Sequence, residues 1–227
     1  LEPRDRALIV HTLQIVALAC SLALERARAD LQIRKSERAL DRELEMAKLE
    51  ARASSSLLNA TGPAALDQAI EAALLAFASE LGAECLSIYK RERLNPDELV
   101  HHASCAPDGG DEARDKAELW WAWEAFETGE PVALTGLPES LPPERHAERE
   151  HCERRDIRSL VALPVLVQGR VRAVLCCEDR RDGERSSEVL RYLQSLGDLI
   201  VGALLRRDVD AERAELERQL FQSQKLE

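Results

Sequence analysis

A chain of 227 residues with a formal net charge of −11 has room for one ordinary domain with long helical arms, or for two small domains. Its 31 Lys and Arg residues alternate with 42 Asp and Glu along helical stretches, and this intermixing excludes nucleic-acid binding through a basic face. The six cysteines, Cys20, Cys85, Cys105, Cys152, Cys176 and Cys177, include no C-x-x-C pair and no spacing that closes a metal tetrahedron, so they read as reduced thiols of a cytoplasmic protein.

Pro3 suits a first helical turn, and no Gly or Pro follows from Arg4 to about Ser54, which predicts one very long helix. Within it, Ala7 to Leu24 is nearly as long as a short membrane span. His11, Thr12, Gln14 and Ser21 interrupt it, so a buried soluble helix is expected and no membrane insertion. No cleavable signal is apparent. Ile33, Leu40, Leu44, Ala47 and Ala51 then repeat at the three- and four-residue spacing of a coiled-coil seam, and a helix this long buries such a stripe most easily against a second copy.

Ser54-Ser55-Ser56 loosens the pattern and Thr61-Gly62-Pro63 breaks it; Ala65 to Leu81 resumes as an amphipathic helix ended by Gly82. Cys85 to Lys90 and Leu99 to Ser104 read as strands joined across Asn95-Pro96-Asp97. Ala113 to Thr128 reads as a helix closed by Gly129, and Pro131 to Leu134 as a short strand. Gly136 to Asp156 is a polar connection with a helical piece around Glu144 to Arg155.

Ser159 to Glu178 is the most informative stretch, because two runs rich in Val and Leu flank Gln168-Gly169, a hairpin signal. Cys176 and Cys177 should point to opposite faces of its second strand, at least one of them into a core. Ser186, with Glu188, starts a last helix that runs to the end of the chain, Ser187 being the other candidate cap. Leu13-Gln14 and Ala23-Leu24-x-Arg26 recur at the spacing of Leu193-Gln194 and Ala203-Leu204-x-Arg206. If this short repeat is more than chance, residues up to about Arg26 close an upstream copy of the same domain.

The run from Trp120 to Glu178 resembles a GAF domain. The resemblance is carried by a Trp-bearing helix, Gly129-Glu130-Pro131-Val132, Leu141-Pro142-Pro143-Glu144, Glu148-Arg149, Ile157-Arg158-Ser159-Leu160 and Leu163-Pro164 before the hairpin. It implies an α+β fold: a GAF/PAS-like antiparallel sheet with helices packed on it, flanked by long N- and C-terminal coiled-coil helices. The expected organisation is a helical segment 1–56, a GAF domain 57–207 and a signalling helix 208–227. The tail Ala214 to Glu227 is similar to the helix that precedes the phospho-accepting histidine of bacterial sensor histidine kinases. That motif and the ATP-binding boxes lie outside these residues, so the resemblance implies the regulatory, non-enzymatic portion of a two-component kinase. A ligand-free dimerisation spacer, or a module of a transcription activator or cyclase, are alternatives.

Cyclic-nucleotide-binding relatives carry an Asn-Lys-x-Phe-Asp-like motif, and here only Asn59 and Asn95 offer an Asn, neither in that setting. Bilin-binding relatives place a Cys early in the helix before Arg158, where His146 and Ala147 stand in this chain. Cyclic nucleotide and covalent bilin are therefore disfavoured, and the ligand, if any, is open. His146, His151 and Cys152 are too far around a helix to converge on a metal. Trp120 and Trp123 share a helical face, with Trp121 elsewhere, and read as core packing or as an aromatic wall for a small ligand opposite Arg158 or His102. His101 and His102 should point to opposite faces of their strand.

Cys152 lies near the position of the active cysteine in GAF-fold reductases of free methionine sulfoxide. It is the candidate for a redox thiol or such an enzyme, with Arg154 or Arg155 to stabilise the thiolate. The expected homodimer seam comprises Leu40, Leu44 and Ala47 on the incoming helix, and Ile200, Leu204, Val209, Leu216 and Leu220 on the outgoing one.

Overall fold

The computed structural model describes residues 3–91, 99–105 and 120–224, and these divide into two units, Leu1–Lys48 and Leu49–Glu227. The first unit is helical, part of α1 (Pro3–Asn59). This helix passes through the three serines predicted to loosen it. Ala53 and Leu57 are buried there in the second unit, and the Leu57 carbonyl accepts a 2.6 Å hydrogen bond from Arg206, so packing outweighs the weak helix preference of serine.

In the second unit α2 (Pro63–Leu81) begins at Pro63, two residues before the expected start, because proline suits a first helical turn, and it ends at Gly82, whose φ of 60° is the left-handed cap. The strands are β1 (Cys85–Arg91), β2 (Leu99–Cys105), β3 (Val132–Thr135), β4 (Ser159–Val167) and β5 (Arg170–Asp179). They form one antiparallel sheet in the order β2-β1-β5-β4-β3. The β4–β5 hairpin turns at Gln168 and Gly169, with φ of 52° and 74°, the two left-handed residues of a type I′ turn. The Asn95-Pro96-Asp97 connection lies outside the described residues, as does the first part of the helix predicted from Ala113, which is described as α3 (Trp120–Thr128).

The short helix α4 (His146–Arg155) is capped by Asp156 at φ 52°. The last helix, α5 (Ser187–Gln224), takes its cap from Ser186, whose hydroxyl accepts from the Val189 N–H at 3.3 Å. Helices α2 and α5 cover one face of the sheet, while α3 and α4 cover the other. On the α5 side Gly197 sits against Val165 so closely that a Cβ would come within 2.6 Å of its methyl carbon.

Both predicted alternations hold. Cys176 and Cys177 face opposite sides and both are buried. Among the described residues no helix is long and apolar enough to cross a membrane.

Candidate functional site

Register decides what the α3/α4 face of the sheet presents. Val174 and Cys176 of β5 pack with Trp121, Ala125 and Phe126 of α3 and with Cys152 of α4. The next residue of the same parity is Glu178, an acid carried into the interior by an otherwise apolar strand and only 1% exposed. Its neighbours in register continue the polar line, with Cys85 opposite Glu178, Ser87 opposite Cys176 and Tyr89 opposite Val174. His101 of β2 sets its ring edge-on to Tyr89 at 5.4 Å.

Helix α4 supplies the counter-charges. Arg155 Nη1 lies 3.0 Å from Glu178 Oε2, and His151 Nε2 lies 3.3 Å from Oε1. His151 and Arg155 are one helical turn apart, so the two side chains descend on the same carboxylate. The His151 ring also contacts the ring of Trp121 at 6.2 Å, and the Trp121 indole N–H has no hydrogen-bond partner.

A buried carboxylate needs such pairing to be tolerated, and this one ties α4 to the centre of the sheet. Its field also sorts the thiols around it. Burial and the Glu178 charge push Cys152 up to about 12 and Cys176 well above its ordinary value. Burial holds the Tyr89 phenol well up. Cys85 goes the other way, to about 6, because the Cys105 thiol donates to it and so favours the thiolate against burial and Glu178, with help from Ser87 and Arg155.

The residues expected to form a ligand wall are not brought together. Trp121, not Trp120 or Trp123, is the fully buried tryptophan. The helix rotates its small residues Ala122 and Ala125 onto the sheet beside it, which leaves Trp120 under Arg145 and Trp123 stacked on Phe126 at 5.9 Å. His102 is the extra residue of a β-bulge, since Ile88 pairs with Ala103 and Tyr89 with His101. It faces α2, 3.4 Å from Asp67, on the opposite side of the sheet from α3. Arg158 pairs with Asp156 and Glu139 and donates to the Leu137 carbonyl, bracing the 136–145 connection.

Cys152 is wholly buried in the core beneath α4. Of the seam residues, Leu40, Leu44, Ala47, Val209, Leu216 and Leu220 are exposed, whereas Ile200 and Leu204 are buried within their own unit. Their stretch of α5 still lies on the sheet, so they cannot form an open seam. Among the described residues no group of three or more His, Cys, Asp or Glu side chains is arranged to hold a metal.

Sequence reasoning weighed His151 as a metal ligand and Arg155 as a partner of a Cys152 thiolate, but passed over Glu178, on which both converge. The parity of β5 was the available signal, because an acid two residues beyond Cys176 must share its buried face.

A cleft of about 850 Å³ opens elsewhere, between the hairpin turn, the end of α3 and the outgoing part of α5. Phe126, Val171, Leu204 and Val209 line it, with Arg172 and Glu212 among its charges.

The profile of the GAF domain family matches residues 63–204, and the chain belongs to that family. GAF domains are regulatory sensory modules. The fold is similar to that of a GAF domain from a Coxiella burnetii phosphoenolpyruvate-protein phosphotransferase, at 16% identity and a TM-score of 0.59, over 74% of this chain and 98% of that one. It is also similar to the A. aeolicus nlh2 GAF domain in an inactive state (16% identity, TM-score 0.53, 73% and 99% of the two chains). A third likeness is to the phycoerythrobilin-bound GAF domain of a cyanobacterial phytochrome (14%, TM-score 0.54, 73% and 96%). No curated protein matches the chain.

Proposed function

We propose that this chain is the cytoplasmic sensory module of a two-component histidine kinase, a homodimer that carries no turnover itself and relays the state of its GAF domain through α5 to a kinase in the same protein. The observation that carries this reading is the continuity of α5. Leu193, Leu196 and Ile200 are wholly buried against the domain, while Val209, Leu216, Leu220 and Phe221 stand exposed further along the same helix. A shift of the sheet or of α4 that moved the buried half would turn or slide the exposed half. An exposed apolar stripe of this spacing finds its partner most simply in the same stripe of a second copy.

The test is the mass of the chain in solution by light scattering. A dimer that dissociates on Leu216→Lys and Leu220→Lys supports the seam, and a monomeric parent chain overturns it. A ligand-free relay is the second reading, favoured by Trp121, which fills the space between α3 and the sheet where a small molecule would lie.

A further inference from the structure

The last two residues of β5, Glu178 and Asp179, are both buried acids, 1% and 8% exposed. Adjacent strand residues point to opposite faces, so the two carboxylates leave one strand end in opposite directions. Glu178 reaches into the α3/α4 face, where His151 and Arg155 of α4 close on it at 3.3 and 3.0 Å. Asp179 reaches the α2/α5 side, where its Oδ2 pairs with Arg185 Nη2.

Arg185 stands two residues before α5 and directly before its Ser186 cap. Its Nη1 donates to the Leu81 carbonyl at 3.0 Å, one of the carbonyls that the end of α2 leaves without a helical partner. Asp179 Oδ1 accepts from the Arg181 N–H at 3.0 Å, which fixes the connection between β5 and α5 at a second point. One carboxylate therefore gathers the end of α2, the β5–α5 connection and the root of α5.

The backbone of the two acids is held as well. The Glu178 carbonyl accepts from the Glu84 N–H at 3.1 Å, and the Asp179 carbonyl from the Arg158 N–H at 2.8 Å. The peptide that joins them is planar and stiff, so the strand end has little slack in which to absorb a displacement of one carboxylate. Helix α4 is suited to be the moving part, because its ten residues bury only Glu148 and Cys152. Little apolar area holds it down, and polar contacts such as those with Glu178 carry its attachment.

We propose that Glu178 and Asp179 form a two-sided joint through the sheet, in which the hold of α4 on Glu178 sets the position of the root of α5 by way of Asp179 and Arg185. This rests on the relay reading for its purpose, and it names the residues by which a change at α4 reaches the outgoing helix. Arg185 is a positioning residue, because it acts on α5 from outside the helix and only while Asp179 holds it.

The test is a double-mutant cycle read by amide hydrogen exchange on the full chain. Residues 191–196 of α5 are followed relative to the Leu175 amide in mid-β5, which reports global opening. Glu178→Gln is expected to speed exchange at 191–196 about fivefold or more in the parent. In an Arg185→Met background the same substitution should add less than about twofold, and Arg185→Lys, which keeps a donor and the charge, should recover part of the coupling. Equal effects with and without Arg185→Met, or no effect of Glu178→Gln in the parent, overturn the joint. Circular dichroism establishes that each variant is folded. His151→Gln, which removes one of the two tethers, takes the place of Glu178→Gln if the latter does not fold, and Asp179→Asn that of Arg185→Met, with the same two outcomes. The exchange is read within one domain, so the two readings fail separately: a monomer by light scattering overturns the dimeric relay whatever the coupling, and a dimer without coupling overturns the joint alone.

Discussion

The two faces of the sheet solve different problems. On the α2/α5 side Leu86, Ile88, Val165 and Leu175 of the strands and Phe77, Leu193 and Leu196 of the helices are all buried, and a glycine at 197 lets α5 settle onto Val165. On the α3/α4 side the same strands bring Glu178, Tyr89, Cys85 and His101 against His151, Arg155 and Trp121. An apolar face is held by area and tolerates no signal beyond its own packing. A face with a buried carboxylate and its partners has states that protonation, oxidation or a ligand can shift. Apolar packing and buried charge are thus separated across one sheet, with the strands between them.

Truncation on the apolar face should have the largest effect. Leu196→Ala is expected to cost about 3–4 kcal/mol, read as a lowered denaturation midpoint. A loss below about 1 kcal/mol would break the assignment of this face as the structural one.

Glu178→Ala leaves Arg155 and His151 without their acceptor and is expected to cost about 3 kcal/mol, with weakened amide protection of α4 in hydrogen exchange. Unchanged α4 protection would mean the cluster does not tie that helix down. Gly197→Ala forces a methyl group against Val165 and is expected to cost about 2 kcal/mol by thermal melt. Pairing it with Val165→Ala should recover part of the loss, which distinguishes overpacking from other causes.

The α2/α5 side also carries a titrating group, His102. Burial, with Lys90 and Arg207 near, lowers His102 from its ordinary 6.5 to about 4, against the pull of Asp67 and Asp208. The unfolded chain therefore binds the proton more readily than the folded one. The stability contributed by neutral His102 is complete above pH 6.5 and is lost as pH falls toward about 4. His102→Gln should remove about 1–2 kcal/mol of acid sensitivity in that window, measured by urea titrations at several pH values. The smallest effect on folding is expected at Leu216, exposed on α5, where Lys should change stability by under about 0.5 kcal/mol while dissociating any dimer.

Much of the fold was legible because its signals are local. The Gln168-Gly169 turn, the Gly82 cap and the Ser186 cap each involve neighbours in sequence, and each stands where it was expected. The site was less legible. Trp120 and Trp123 do share a helical face, but which face meets the sheet depends on the small side chains of Ala122 and Ala125 across from it. His102 was placed by a bulge that no local pattern announces. Ile200 and Leu204 fit a seam as well as a core, and the position of α5 on the sheet decides for the core.

What the chain determined by itself is its list of elements, their caps and turns, and the family pattern from Trp120 to Glu178, because propensity, capping and periodicity act over a few residues. Only the tertiary structure decided that Glu178 meets His151 and Arg155, and that Cys85 and Cys105 share the Leu86 backbone. The contacts of Glu178 and that between Leu86 and Cys105 join residues 19 or more positions apart, and they depend on strand order, register and the rotation of α4. A one-residue change of register would exchange the faces and dissolve both clusters.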